Sequence, residues 1–242
     1  MKPDKAVIVA AGLSSRLYPL TAEMPKALLP IGSESMLARS IRILRQCGIS
    51  QVAIVVGYQG SMIGGLANER EIDLIANPFY RYCNNMGSLF MARHFVGDEA
   101  VVYLHGDLVY TEAMLGQFLE AANKSGNSCL DLLTDFGHVD EEAMKVRVDS
   151  TNRLIESNKA IPLGEAAGEW TGIAVIHRPA IVFEEIENHL MGGGLTDYDT
   201  AAFTTLAARH EVRCIAANDD PWKEIDTLED LEAARAAFGD SR

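Results

Sequence analysis

Short apolar segments alternate with amphipathic segments along the first half of the chain. This alternation predicts buried strands joined by helices, and therefore a mostly parallel sheet with helices on both faces. The predicted strands cover residues 6–10, 52–56, 72–76, 100–104 and 128–133. The predicted helices cover residues 35–47, 87–95 and 112–122, with a further helix starting within 57–65.

The second half of the chain is less regular. It predicts strands at residues 145–148, 154–156, 171–176 and 212–216, some of them antiparallel, and helices at 179–190, 199–210 and 228–238. No repeat or linker interrupts the sequence, so we predict one α/β domain over residues 1–242. Ligands of such sheets bind beyond the carboxyl ends of the strands.

Composition and charge narrow the function classes. With 21 basic and 34 acidic residues, the net charge of −13 argues against a nucleic-acid-binding surface. No apolar run is long enough for membrane insertion, and the first strand follows the N-terminus too closely for a signal peptide. We therefore expect a cytoplasmic protein with reduced cysteines. Assembly into a homo-oligomer is left open by the sequence.

The loop after the first strand has the features of a phosphate cradle. Gly12, Ser14 and Ser15 can turn backbone N–H groups toward one point, and Arg16 adds a cationic fork. Lys26 follows ten residues later and can neutralise charge on a phosphate. Neither a Walker A loop nor a GxGxxG fingerprint is present. Each cation alone would be an ordinary surface residue, so the prediction depends on the whole string.

The string AAGLSSRLYPLTAEMPKALLPIG, from Ala10 to Gly32, resembles the signature of the nucleotidyltransferases that make activated sugars and choline. The family pattern AAGxGxRxxPxTxxxPKxLxPI is matched except that Ser14 replaces the second glycine. The resemblance implies a Rossmann-like α/β fold with helices on both faces. It also implies that Gly12 and Arg16 bind the phosphates of a nucleoside triphosphate (NTP) and that Lys26 stabilises the transition state.

Two aspartates complete the resemblance. Asp107 in YLHGD and Asp226 in WKEIDTLEDL match the metal-binding acids of the family, which implies Mg²⁺ as the cofactor. A sparse set of carboxylates suits that ion, because it keeps waters and phosphates as ligands. The alternative for Asp107 is a turn or N-cap residue. Asp226 can also be the N-cap of the last helix, since Asp226-Thr-Leu-Glu229 has the pattern of a capping box.

The segment NPFYRYCNNMGSL resembles the part of the family that recognises the base and ribose, although Asn84, Asn85 and Ser88 can equally be helix-capping residues. The residues expected to bind the nucleotide are Ala10, Ala11, Gly12, Ser14, Ser15, Tyr58, Asn84, Asn85, Ser88 and Asp107. By this resemblance residues 1–135 form the NTP-binding half, and residues 136–242 form the acceptor-binding half and the closing helix.

Candidate acceptor residues come from the second half. Lys159 matches a family lysine that contacts the acceptor phosphate, and Lys145 is a second candidate, with a solvent-facing strand lysine as the alternative. Acids beside aromatic residues suit an ammonium group, and ordinary packing is the alternative. The residues expected to bind the acceptor are Lys145, Lys159, Glu169, Trp170, Asp197 and Tyr198.

The motifs are most similar to those of choline-phosphate and 2-aminoethylphosphonate cytidylyltransferases. In hexose-1-phosphate enzymes LGD and EKP stand where this chain has HGD and SNK. The resemblance implies transfer of CMP from CTP to a small phosphate or phosphonate, with release of pyrophosphate. The alternatives are a sugar-1-phosphate nucleotidyltransferase using UTP, GTP or dTTP, and a nucleotide-sensing domain. A glycosyltransferase with a DxD motif at Asp197–Asp199 is less consistent, since that motif lies late in the chain.

Overall fold

A mixed sheet with helices on both faces organises the chain. The computed structural model describes residues 2–124, 126–137 and 139–239, with the side chains of residues 69 and 70 left out. The strands are β1 (Lys5–Ala10), β2 (Pro30–Ile31), β3 (Glu34–Ser35), β4 (Gln51–Val56), β5 (Asp73–Ala76), β6 (Val101–His105), β7 (Leu108–Tyr110), β8 (Leu130–Asp135), β9 (Lys145–Val148), β10 (Leu154–Ser157), β11 (Gly168–Ile176), β12 (Val212–Ala216) and β13 (Trp222–Glu224). The helices are α1 (Met36–Gln46), α2 (Gly64–Arg70), α3 (Asn85–Met91), α4 (Arg93–Val96), α5 (Glu112–Asn123), α6 (Pro179–Met191), α7 (Asp199–Ala207) and α8 (Leu228–Phe238).

The strand order is β10-β9-β11-β6-β1-β4-β5, and β8 joins β11 to β12. Strands β5, β4, β1 and β6 are parallel, as the alternation of apolar and amphipathic segments predicts. Strand β11 runs antiparallel to β6, β8 and β9, whereas β12 runs parallel to β8, so the two halves of the chain meet through pairs of both kinds. The predicted α/β mixed sheet is confirmed, and the antiparallel pairs lie where the second half predicts them.

Apolar residues of each strand point alternately to the two faces and build two core layers. Ile8, Ile54 and Leu104 contribute to one layer, and Val7 and Tyr103 contribute to the other. A smaller apolar cluster contains Leu17 of the first loop, Ile225 and Leu231 of α8. This cluster matters for the site, because it packs the C-terminal segment against the loop that follows β1.

Several local elements differ from the predictions. The helix predicted at residues 87–95 is two short helices, α3 and α4, which meet at Ala92. The ribbons β2–β3 and β7–β13 were not predicted, since strands of two or three residues are too short to show a period. Among the described residues, no helix is both long and apolar enough to cross a bilayer.

Candidate active site

The loop after β1 is the segment that the sequence predicts to be a phosphate cradle. Ser14 has a left-handed backbone (φ 52°), which explains why a glycine is usual at this position of the pattern. The Thr21 hydroxyl donates a 2.9 Å hydrogen bond to the Ser14 carbonyl and holds the turn in place. A narrow cavity beside the loop, of about 60 Å³, is lined by Ala10, Ala11, Gly12, Ser14, Lys26, Asn85, His105 and Asp107, among others.

Lys26 is the centre of a charge cluster. Its Nζ lies 2.9 Å from Asp107 Oδ2 and 2.8 Å from Asp226 Oδ1, and Arg16 Nη2 lies 2.7 Å from Asp226 Oδ2. Burial opposes the charge of the ammonium group, but the two carboxylates outweigh burial and raise the pKa of Lys26. The structure therefore brings together Arg16, Lys26, Asp107 and Asp226, four residues that span 210 positions of the sequence.

Asp107 lies in the turn between β6 and β7 and caps no helix. Gly106 lets this turn approach β1, because a Cβ there would lie 2.8 Å from Ala10 Cβ and from the Val9 carbonyl oxygen. Burial opposes ionisation, yet the charges of Lys26 and His105 keep the pKa of Asp107 below its usual value. Asp107 Oδ1 is buried and has no hydrogen-bond partner among the described residues.

Asp226 is not the N-cap of α8, which corrects one of the alternatives from the sequence. Thr227 is the N-cap, and its side chain forms a capping box with Asp230. The Asp230 carboxylate accepts hydrogen bonds from the N–H groups of Asp226 and Thr227. Since the capping box uses Thr227 and Asp230, the Asp226 carboxylate can face Arg16 and Lys26.

The remaining nucleotide candidates separate into different roles. Asn84 is the N-cap of α3, as one alternative predicts, whereas Asn85 lines the cradle cavity. Ser88 is buried and accepts a 3.0 Å hydrogen bond from the Asn77 side chain, so it does not face the cavity. The Tyr58 hydroxyl donates a 3.0 Å hydrogen bond to the carbonyl of Ala22, which lies in the loop after β1, so Tyr58 stabilises that loop. Ser15, which is exposed, begins the short 3-10 helix Ser15–Leu17.

An acidic cavity of about 420 Å³ adjoins the charge cluster. Its acidic lining residues are Asp135, Asp140, Glu142, Glu169, Glu224, Asp226 and Asp230, and its cations are Arg16 and Lys223. Burial and the charges of Glu224, Asp140 and Asp135 raise the pKa of Glu169 to about 7. Such a cavity favours a ligand that carries positive charge.

Asp197 and Tyr198 line a second cavity of about 530 Å³ together with Glu156 and Thr200. Lys159 lies near both cavities. Its Nζ is 5.7 Å from the centroid of the Tyr198 ring, and its charge lowers the pKa of Glu169. The predicted acceptor residues are therefore divided between two neighbouring cavities.

Two predicted acceptor residues are buried instead. Lys145 is fully buried, and its Nζ donates to the carbonyl oxygens of Glu141 (2.6 Å) and Lys159 (2.8 Å). Trp170 is 3% exposed, and its Nε1 donates to the Ile173 carbonyl at 2.9 Å. Their polar atoms join segments of the chain, and neither residue lines the two cavities described above.

His105 was not among the predicted site residues, although HGD in place of LGD was a signal. Its Nε2 lies 3.1 Å from Asp199 Oδ2. Burial opposes the charge of the imidazolium, but the hydrogen bond and charge of Asp199 outweigh it and raise the pKa of His105 to about 9. A nitrogen of His105 and carboxylate oxygens of Asp107 and Glu224 lie within 4.8 Å of one another. Because Asp199 is fully buried, Asp197 and Asp199 do not form the paired acids of a DxD site.

Known proteins are similar to this chain in sequence and in fold. The family model of the MobA-like NTP transferase domain matches residues 6–235. CMP-5'-(3-aminopropyl)phosphonate synthase from Streptomyces rubellomurinus is 30% identical, over 99% of this chain and 40% of its own length. The bifunctional IPC transferase and DIPP synthase of Aquifex aeolicus is also 30% identical, over 96% of this chain and 51% of its own length.

Among solved structures, CTP:phosphocholine cytidylyltransferase from Streptococcus pneumoniae has a similar fold. The TM-score is 0.79 at 20% identity, with 97% of this chain and 98% of that one covered. The fold and motifs are those of a nucleotidyltransferase, an enzyme of the transferase class. The chain belongs to the family of MobA-like NTP transferase domains. It spans about half or less of the length of the two relatives named above.

Proposed function

We propose that this chain transfers CMP from CTP to a small acceptor that carries a phosphate or phosphonate group, with release of pyrophosphate. The observation that carries the proposal is the cluster of Arg16, Lys26, Asp107 and Asp226 at the end of β1 and β6. Two cations and two carboxylates at a phosphate cradle suit phosphoryl chemistry, in which catalysis is mostly positioning and charge neutralisation.

In the proposed reaction an anionic oxygen of the acceptor attacks the α-phosphorus of CTP. A new P–O bond forms, the bond between the α-phosphorus and the bridging oxygen to the β-phosphate breaks, and pyrophosphate leaves with the electron pair. No protein nucleophile is required, since the acceptor is ionised at neutral pH. Lys26 and Arg16 would bind the phosphates, and Lys26 is already held in place by Asp107 and Asp226.

The residues present also fit a magnesium ion. Asp107 Oδ1 is a buried carboxylate oxygen without a hydrogen-bond partner among the described residues, and Asp226 supplies a second carboxylate nearby. Oxygen ligands of this kind suit Mg²⁺. Asp107 and Asp226 would hold the ion, and its charge would stabilise the negative charge that develops on the phosphates.

The acidic cavity supports an acceptor with a cationic group. Glu169 and its acidic neighbours would attract an ammonium group, while Arg16 and Lys223 in the same cavity would attract the acceptor's phosphate or phosphonate end. The relative that makes CMP-5'-(3-aminopropyl)phosphonate handles a molecule of this type. CTP as the donor is supported by the same relative and by the motifs of the cradle and closing segment, which resemble those of cytidylyltransferases.

The test is pyrophosphate release with Mg²⁺ over a grid of substrates. CTP, UTP, GTP, ATP and dTTP are combined with phosphocholine, 2-aminoethylphosphonate, glycerol phosphate, inositol 1-phosphate and several hexose 1-phosphates. The proposal predicts turnover with CTP and an amino-substituted acceptor. Turnover only with a hexose 1-phosphate would keep the nucleotidyl transfer and overturn the proposed acceptor. NTP binding without turnover in any combination would instead favour a sensing domain.

A further inference from the structure

His105, at the end of β6, has contacts that the reaction proposed above does not explain. Its Nε2 lies 3.1 Å from Asp199 Oδ2 and 3.3 Å from Asn85 Nδ2. Asp199 is fully buried and also accepts a 2.6 Å hydrogen bond from the Tyr103 hydroxyl. A buried carboxylate is costly unless it is paired, so this arrangement holds its members in fixed positions.

The surroundings of His105 are shaped to hold its ring. Gly172 has a left-handed backbone (φ +84°), and a Cβ there would lie only 3.0 Å from His105 Nδ1. Trp170 packs edge-on against the imidazole, with ring centroids 4.9 Å apart. The pairing of β11 with β8 shifts register between Trp170 and Ala174, in the segment that contains Gly172. A smaller or more flexible side chain at position 105 would lose this packing.

His105 touches the two substrate sides of the proposed site, because its Nε2 donates a hydrogen bond to Asp199 and also lies in packing contact with the Asn85 amide. Asn85 is the first residue of α3 and lines the cradle cavity together with His105. Asp199 is the first residue of α7 and directly follows Tyr198, which lines the second cavity. The first residues of α3 and α7 therefore both contact the imidazole of His105, which lies two residues before Asp107 in the chain.

We propose that His105 is a positioning residue that fixes Asn85 at the nucleotide cradle and, through Asp199, fixes the start of α7 on the acceptor side. The inference rests on the proposed function and requires only hydrogen bonding and packing, without proton transfer. Without the imidazole, Asp199 loses one of its donors and the starts of α3 and α7 lose their shared contact. If the loss of these contacts displaces a substrate by about 1 Å, the rate can fall by about 100-fold, even though the altered residue does not touch the reacting atoms.

The chain offers a matched control. His177 Nε2 lies 2.8 Å from Asp131 Oδ2, and the exposed fractions of the two side chains are 13% and 0%, against 12% and 0% for His105 and Asp199. His177 follows the end of β11, where Ile176 pairs with Val101 at the start of β6. It therefore lies at the opposite edge of the sheet from Asp107. Changing it tests what the loss of a buried histidine–aspartate pair does to stability alone.

The experiment compares the wild-type protein with His105→Leu, His105→Gln and His177→Leu. Calorimetry measures the Kd of CTP with Mg²⁺, urea unfolding measures stability, and pyrophosphate release gives kcat and KM with an acceptor that the wild type uses. We expect His105→Leu to lower kcat by about 100-fold and to raise the Kd of CTP by about tenfold. His105→Gln should recover most of the turnover and most of the affinity for CTP, since its amide can still donate to Asp199. His177→Leu should keep both constants within about twofold of wild type, and Arg213 still pairs with Asp131 in that variant.

Equal kinetic losses in His105→Leu and His177→Leu, or no loss in His105→Leu, would overturn the inference. If His105→Leu does not fold, His105→Phe replaces it, because a ring of similar shape keeps the packing against Trp170 and removes the hydrogen bond to Asp199. Unchanged kcat and Kd in His105→Phe would then overturn the inference. A wild-type protein that binds no NTP would overturn the proposed function itself, and this inference with it. Normal CTP binding and turnover in every variant would overturn this inference only.

Discussion

Replacing Lys26 with methionine removes the charge at the centre of the site and keeps a side chain of similar length. The ammonium group lies 2.9 Å and 2.8 Å from two carboxylates, and Lys26 is only 9% exposed. At an effective dielectric constant of ~20, each contact corresponds to about 6 kcal/mol of Coulomb energy, most of which the desolvation of the charges offsets. Removing one partner of a fully buried pair costs about 3–5 kcal/mol.

For Lys26→Met we expect a smaller loss in the free energy of unfolding than the loss for a fully buried pair. Both carboxylates keep 25% of their side-chain surface exposed, and Arg16 still neutralises Asp226. We therefore expect the free energy of unfolding to fall by about 2 kcal/mol in the absence of divalent metal. Mg²⁺ should stabilise the variant more than the wild type, because the ammonium group no longer competes for Asp107 and Asp226.

Turnover of Lys26→Met should fall by about 100- to 1000-fold, because one preorganised charge contact in the transition state is lost. Urea unfolding with EDTA or with Mg²⁺ measures stability, and pyrophosphate release measures turnover. Lys5→Met is the matched control, since Lys5 is also largely buried and paired with a carboxylate, at the start of β1 instead of its end. Near-normal turnover of Lys26→Met, or a stability that responds to Mg²⁺ just as the wild type does, would refute the reasoning.

Three further predictions concern neighbouring groups. The affinity for a cationic acceptor should rise as the pH rises through about 7, because Glu169 and Glu224 become charged there, and titrations of Glu169→Gln should show weaker binding and a smaller rise. Ser14→Gly should keep turnover and change the free energy of unfolding by less than about 1 kcal/mol, since relief of the left-handed strain opposes the entropy cost of glycine. Asp226→Asn should lower Mg²⁺-dependent turnover and destabilise the protein by about 1 kcal/mol, because Lys26 then keeps only Asp107 as a charged partner, whereas Thr227→Ala should lose about 1 kcal/mol in urea unfolding because Thr227 caps α8.

The parts of the site that lie in continuous motifs could be predicted from the sequence. The cradle and Lys26 belong to one string of 23 residues, Asp107 follows the strand predicted at residues 100–104, and Asp226 lies in the closing motif. Since the carboxyl ends of parallel strands share one edge of the sheet, the strands predict that the cradle and Asp107 converge, whereas only the resemblance predicts that Asp226 joins them. The structure brings Arg16, Lys26, Asp107 and Asp226 together at that edge.

The acceptor side could not be predicted to the same extent, because its contacts depend on pairs of distant segments. Trp170 lies on β11, whose residues are buried on both faces, so alternation along the strand does not distinguish site from core. Lys145 binds two backbone carbonyls from separate loops, and no pattern in the sequence encodes such a contact. The pairing of His105 with Asp199 joins residues 94 positions apart and depends on the space that Gly172 leaves.

The most direct test of the proposed nucleotidyl transfer is identification of the product. Wild-type protein is incubated with CTP, Mg²⁺ and either 2-aminoethylphosphonate or phosphocholine, and the mixture is analysed by ³¹P NMR and mass spectrometry. We expect a CMP adduct of the acceptor and pyrophosphate in equal amounts, with both greatly reduced for Lys26→Met. Hydrolysis of CTP without an adduct, or an adduct formed equally well by Lys26→Met, would contradict it.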